Sequence, residues 1–231
     1  MPSVRCLAFG EAPAGRPRWL HSASRIPTDS QNGAAKGSQP FTSRDRSNVI
    51  GGWLSLLTFA LGDMTPTLTI ESIRAAEDDD ELFKLLGAEL ERRLPNGRRA
   101  DDRFVSQIRG LPPGLCAMVA TYELDVSLAL DDLGWHFGNW HHLGLGEETL
   151  NGLRELGAAS MAEVFDKAFA IAREYWERLG AEDWSDWYHG SPLEERLGAL
   201  NDEAWRIWHE SKRGLFAYWI AYARQFPERL I

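Results

Sequence analysis

From Thr69 onward, apolar residues recur at three- and four-residue intervals, the spacing that lays them along one face of an α-helix. The stretch Asp80–Leu94 places Leu82, Phe83, Leu85, Leu86 and Leu90 on one broad face, with acids in its first turn and Arg92 and Arg93 in its last, as the helix dipole favours. Pro95-Asn96-Gly97 stops it. Pro112-Pro113 offers the next start, because a proline at the first helical position loses no hydrogen bond. Leu115, Met118, Val119, Tyr122, Val126, Ala129, Leu130 and Leu133 follow in helical register, and Gly134 ends the run before an irregular aromatic segment, Trp135–His142. A helix over Glu147–Leu156 is expected to close at Gly157. Ser160 with Glu163, and Ser191 with Glu194, read as capping boxes; the first helix runs to Leu179 and Gly180, and the second has Pro192 at its first position. Ser211 is the expected cap of a last helix through Leu215, Phe216, Trp219, Ile220, Ala223 and Phe226. No period-two run rich in Val, Ile and Thr interrupts this pattern. The fold expected is all-α: an irregular bundle of about six helices in a single domain, with neighbours packed antiparallel.

The pattern has no counterpart upstream. Residues 1–63 carry no periodic apolar face, so the domain organisation expected is a disordered or mis-annotated N-terminal extension over 1–63 and an acidic helical domain over 64–231, with Met64 as the natural start. The run Ile50–Leu61 is about half of what a bilayer-spanning helix needs and lies too far from Met1 for a signal peptide. Neither membrane insertion nor export is expected. The two cysteines, Cys6 and Cys116, fall on opposite sides of the boundary, which argues against a disulfide and for a reducing, cytoplasmic location.

Composition adds that the core is well supplied: 44% of residues are hydrophobic and 11% aromatic, and eight of the ten tryptophans lie beyond residue 130. Charge changes the picture more. Residues 1–63 hold seven Lys/Arg against four Asp/Glu, while residues 64–231 hold 18 against 30, a net of –12 that repels nucleic acid and anionic membrane and attracts basic proteins. Acids recur in pairs: Glu77–Glu81, Asp101-Asp102, Asp131-Asp132, Glu147-Glu148, Glu182-Asp183 with Asp186, Glu194-Glu195 and Asp202-Glu203. Several suit helix N-termini, and Glu147-Glu148 and Glu194 are expected there. Asp131-Asp132 is different, because acids at the C-terminal end of a helix oppose its dipole.

Enzymatic and metal chemistry find little support. His136, His141 and His142 lie close together but lack H-E-x-x-H spacing, and adjacent histidines in an extended segment point apart. No G-x-S-x-G elbow is present, Cys116 sits on an apolar helix side, and Gly144-Leu145-Gly146 opens onto two glutamates that repel phosphate. No catalytic residue, metal or cofactor is expected.

Three stretches between about Leu111 and the C-terminus stand out: Tyr122–Asp125 through Leu133-Gly134-Trp135, Leu150–Ala158 followed by Ala162-Glu163 and Ala168, and Leu200–Trp205 followed by the last helix and Phe226-Pro227-Glu228. In this order they resemble the bacterial DNA-mimic protein family. Where the family has an Asn-Asn-Gly-Gly-Phe-type turn, this chain reads Asp131-Asp132-Leu133-Gly134-Trp135. The resemblance implies an all-α, often dimeric protein, without direct nucleic-acid binding, whose acidic face imitates the phosphate backbone toward a DNA-binding regulator. The expected function is accordingly a non-enzymatic protein-interaction module. Its expected partner is basic, and its expected partner-binding residues are Asp131, Asp132, Trp135, His136, Asn139, Trp140, Glu147 and Glu148. An immunity or antitoxin-like role against a basic toxin or nuclease is the alternative, and an unrecognised hydrolase the third.

Overall fold

A computed structural model describes residues 67–94 and 98–231. The boundary at Met64, the extension with its Ile50–Leu61 run, Cys6 and the Pro95-Asn96-Gly97 stop lie outside the described residues.

The described chain is all-α. Eleven α-helices follow one another: α1 Ile70–Ala75, α2 Asp79–Arg93, α3 Asp102–Arg109, α4 Pro113–Leu130, α5 Leu133–Asn139, α6 Leu143–Glu155, α7 Ala159–Arg173, α8 Trp176–Leu179, α9 Trp184–Tyr188, α10 Pro192–Glu210 and α11 Phe216–Gln225, then a 3-10 turn at Pro227–Leu230. Six of them, α2, α4, α6, α7, α10 and α11, have ten residues or more and form the expected bundle. The five short helices occupy what the periodicity left as connections, plus one break within an expected helix.

Helix α4 is the axis of the fold. Its apolar length meets the composition of a membrane span, yet most of its residues are buried against neighbouring helices. Leu115, Met118 and Val119 in its first half pack with α1, α2, α3, α11 and the final turn, around Leu82, Leu86, Ile108 and Trp219. Leu124 and Leu128 in its second half pack with α5, α7 and α10, around Phe137, Phe165, Leu193 and Leu197. Burial of each such side chain contributes about 1.5–3 kcal/mol, so the two apolar clusters meeting along α4 supply the main driving force for folding.

Several termini form as local chemistry dictates. Asp78 caps α2 by accepting the Glu81 N–H, and Asp101 caps α3 by accepting the Phe104 N–H. Ser191 caps α10, accepting the Glu194 N–H at 3.2 Å ahead of Pro192. Gly157 takes φ +75° after α6; its N–H reaches the Arg154 carbonyl while the Ala158 N–H reaches that of Leu153, the paired closure of a Schellman motif.

Other termini correct the sequence expectation. Helix α4 stops at Leu130, three residues early, and Asp132 starts α5, so the first part of the segment expected to be irregular, through Asn139, is helical. Gly134 lies inside α5: a Cβ there would fall 2.1 Å from the Tyr188 ring, so this glycine serves close approach of α9. Helix α6 begins at Leu143, capped by the His142 ring nitrogen, which places Glu147 and Glu148 beyond its first turn. Helix α7 begins at Ala159 with no side-chain cap, so Ser160 is a helix residue, and α7 breaks after Arg173 before the short α8. Ser211 ends α10 rather than starting α11, its hydroxyl accepting the Arg213 N–H.

Candidate protein-interaction face

The α4–α5 junction is assembled around one carboxylate. Asp132 Oδ1 accepts the Trp135 N–H at 2.9 Å, capping α5, while Oδ2 accepts the Tyr188 hydroxyl at 2.8 Å and the Asn201 amide at 3.0 Å. The Asn201 carbonyl oxygen in turn accepts the Leu133 N–H. Burial raises the Asp132 pKa, and the hydrogen bonds from Trp135 and Tyr188 oppose that rise. Asp132 thus holds three helices together and is only 7% exposed, so it is a structural residue and not part of a binding surface.

His136, one turn on, is 2% exposed. The Ser127 hydroxyl donates to the Glu123 carbonyl at 2.7 Å, which leaves its oxygen to accept from His136 Nδ1 at 3.2 Å. Burial pushes the imidazole down to about 4, so it is neutral. This residue too is removed from the expected surface.

The remaining expected residues divide. The Asp131 side chain is half-buried beside Asp132 and Glu194, and its burial, followed by those like charges, pushes its carboxyl up to about 7 despite nearby His189. Its backbone carbonyl accepts the Trp205 indole N–H at 2.8 Å. Trp135 is half-buried against Trp184, ring centroids 4.9 Å apart and edge to face, with its indole N–H buried and unpartnered among the described residues. Asn139 is exposed, whereas Trp140 turns inward onto the cluster of α1–α3 and α11. Glu147 and Glu148 are paired: Glu147 with Arg173 at 3.1 Å and Glu148 with Arg109 at 2.7 Å. The structure brings together Asp131, Trp135 and the start of α5, whereas Glu147 and Glu148 are engaged by arginines of α7 and α3.

The histidines next to this face are occupied locally. His141 stacks on Trp176 at 4.4 Å and its Nε2 meets the Trp176 carbonyl, while His142 caps α6 and reaches Asp102 at 3.1 Å. They do not converge, and among the described residues no group of three His, Cys, Asp or Glu side chains is placed to hold a metal.

What sequence reasoning missed is the surface formed by α8, α9 and the first turns of α10. Trp184 and Trp187 on α9, Tyr175 before α8 and Trp135 on α5 each leave part of a ring in solvent. Acids flank them. Glu174 pairs with Arg196 and Asp183 with Arg178, but Glu177, Glu182, Asp186 and Glu195 are exposed without an ion-pair partner among the described residues. The signal available was the coincidence of the Glu182-Asp183/Asp186 cluster with Trp184 and Trp187, two aromatic residues three apart.

A protein-family model described as DMP19-like protein matches residues 109–225, and this is the DNA-mimic family that the sequence resembles. Neither the comparison with curated proteins nor that with solved structures gives a match.

Proposed function

This chain belongs to the DMP19-like protein family, and on that premise we propose that it works without catalysis, as a cytoplasmic acidic module that occupies the DNA-binding surface of a basic protein. The observation that carries the reading is how the acids are disposed. Over residues 64–231 they exceed Lys and Arg by 30 to 18. Many of the arginines are engaged in local ion pairs such as Arg109–Glu148 and Arg206–Glu203, while Glu163, Glu177, Glu182, Asp186, Glu195 and Asp202 face solvent unpaired among the described residues. Duplex DNA presents a charge about every 1.7 Å along its axis, and a protein that binds it displays Lys and Arg to match. Fixed carboxylates on a rigid helical surface meet the same array without the counterion atmosphere of a polymer.

The test is affinity capture from the native lysate at low and high salt, followed by a DNA-displacement assay on the captured protein. The expected partner is a DNA-binding protein that is retained at low salt, released at high salt, and displaced from its DNA by this chain. A captured protein that keeps its DNA bound at saturating concentrations of the chain overturns the reading.

A further inference from the structure

In the middle of α4, Glu123 carries its carboxyl into the interior, and the residue is 4% exposed. Its Oε1 lies 3.5 Å from a terminal nitrogen of Arg98, at the outer limit of a hydrogen bond, and its Oε2 is buried without a hydrogen-bond partner among the described residues. Arg98 reaches in from the connection between α2 and α3, its guanidinium 3.9 Å from the centre of the Tyr122 ring and its side chain 12% exposed. Among the described residues no other charged side chain bears on this carboxyl. The next acid of α4, Asp125, is engaged by the Trp208 indole and the Leu215 N–H, and the neutral His136 ring of α5 meets Ser127 and the backbone of Glu123, not its side chain. Burial pushes the Glu123 carboxyl up to about 7, and Arg98 opposes that rise.

We propose that Arg98 and Glu123 form an acid-released latch on the α2–α3 connection: the charged carboxylate holds the guanidinium against α4, and the protonated one lets it go. An ionised carboxylate in the interior needs a counter-charge and filled lone pairs, and one long contact to Arg98 is all that this one has among the described residues. A guanidinium keeps its charge at every working pH, so the carboxyl alone sets the state of the pair. Once protonated, it no longer offsets the desolvation of the arginine, and only the Tyr122 ring remains to hold a cation for which water competes. Release carries that cation to a surface where Arg99 and Arg103 are already exposed without an ion-pair partner among the described residues. It also uncovers one face of Tyr122, whose ring lies 5.9 Å from that of Phe216. This corner of the domain thus presents a different surface below neutrality and above it, independently of what the acidic face binds.

The experiment follows the Arg98 side-chain Nε–H and the Glu123 carboxyl by NMR in the full chain between about pH 8 and about pH 5.5, with exposed Arg99 as the internal reference for exchange with water. Arg98 is expected to exchange several-fold more slowly than Arg99 at the alkaline end and to approach it as pH falls through the Glu123 midpoint. Glu123→Gln removes the charge at nearly constant size, and Arg98 then exchanges like Arg99 throughout. Arg98→Met leaves the carboxyl without its cation and raises its titration midpoint by about one pH unit, a readout that decides even if Glu123→Gln does not fold. A ratio of Arg98 to Arg99 exchange that stays constant with pH, a transition that persists in Glu123→Gln, or a Glu123 midpoint unmoved by Arg98→Met overturns the latch.

Discussion

Replacing Asp132 with alanine tests whether this acid belongs to the fold or to a binding surface. The substitution deletes the α5 N-cap, worth about 1 kcal/mol, and leaves the Tyr188 hydroxyl and the Asn201 amide without their acceptor in the interior, each costing about 1–3 kcal/mol. Part is returned, since burial raises the Asp132 pKa and its ionised form is costly to hold. The expected net loss is about 3 kcal/mol, or about 6–12 °C in the unfolding midpoint of a domain this size. Urea and thermal unfolding at pH 7.5, followed by tryptophan fluorescence, measure it. Asp131→Ala is the control: no hydrogen bond to its carboxylate is found among the described residues and like charges crowd it, so its loss should stay below about 1 kcal/mol. Equal losses for the two variants, or a loss under about 1 kcal/mol for Asp132→Ala, would refute the assignment of the network around Asp132.

Three further outcomes follow from the same geometry. Burial holds Glu123 up to about 7, Asp125 to about 6 and Asp131 to about 7, so each keeps its proton more tightly folded than unfolded, and stability is lost as pH rises through those values. His136, held down to about 4, works oppositely below its ordinary 6.5, where the unfolded chain takes up the proton first. The urea midpoint should therefore change little above about pH 7.5 and rise as pH falls from about 7 to about 5, His136 offsetting one of the three acids below about 6.5; a midpoint that falls over that interval contradicts the burial of these acids. Ser191→Ala should cost about 0.5–2 kcal/mol and Ser160→Ala almost nothing, by the same melts, since only Ser191 accepts a cap hydrogen bond; comparable losses would misplace the start of α7. Gly134→Ala should cost about 3 kcal/mol, because the added methyl overlaps the Tyr188 ring, which Asp132 holds in place; a neutral result would mean that α9 can move away.

The sequence by itself determined what depends on contacts within a helical turn or two. The all-α class follows from three- and four-residue apolar spacing, and the starts at Pro113 and Ser191, with the closure at Gly157, follow from groups at most five residues apart. The acidic balance and the family are equally legible, being properties of composition and residue order. Only the tertiary structure decided which acids stay exposed and unpaired. Asp132 lost its place on the surface because Tyr188 and Asn201, 56 and 69 residues away, converge on it, and Glu147 and Glu148 are paired by Arg173 and Arg109, 26 and 39 residues distant. Gly134 read as a helix end because a local signal cannot distinguish a glycine that breaks a helix from one that admits a neighbouring ring. The contact of Arg98 with Tyr122 and Glu123 was hidden for the same reason: Arg98 and Glu123 lie 25 residues apart, and ring stacking and ion pairing fall off within a few ångströms in space regardless of distance along the chain.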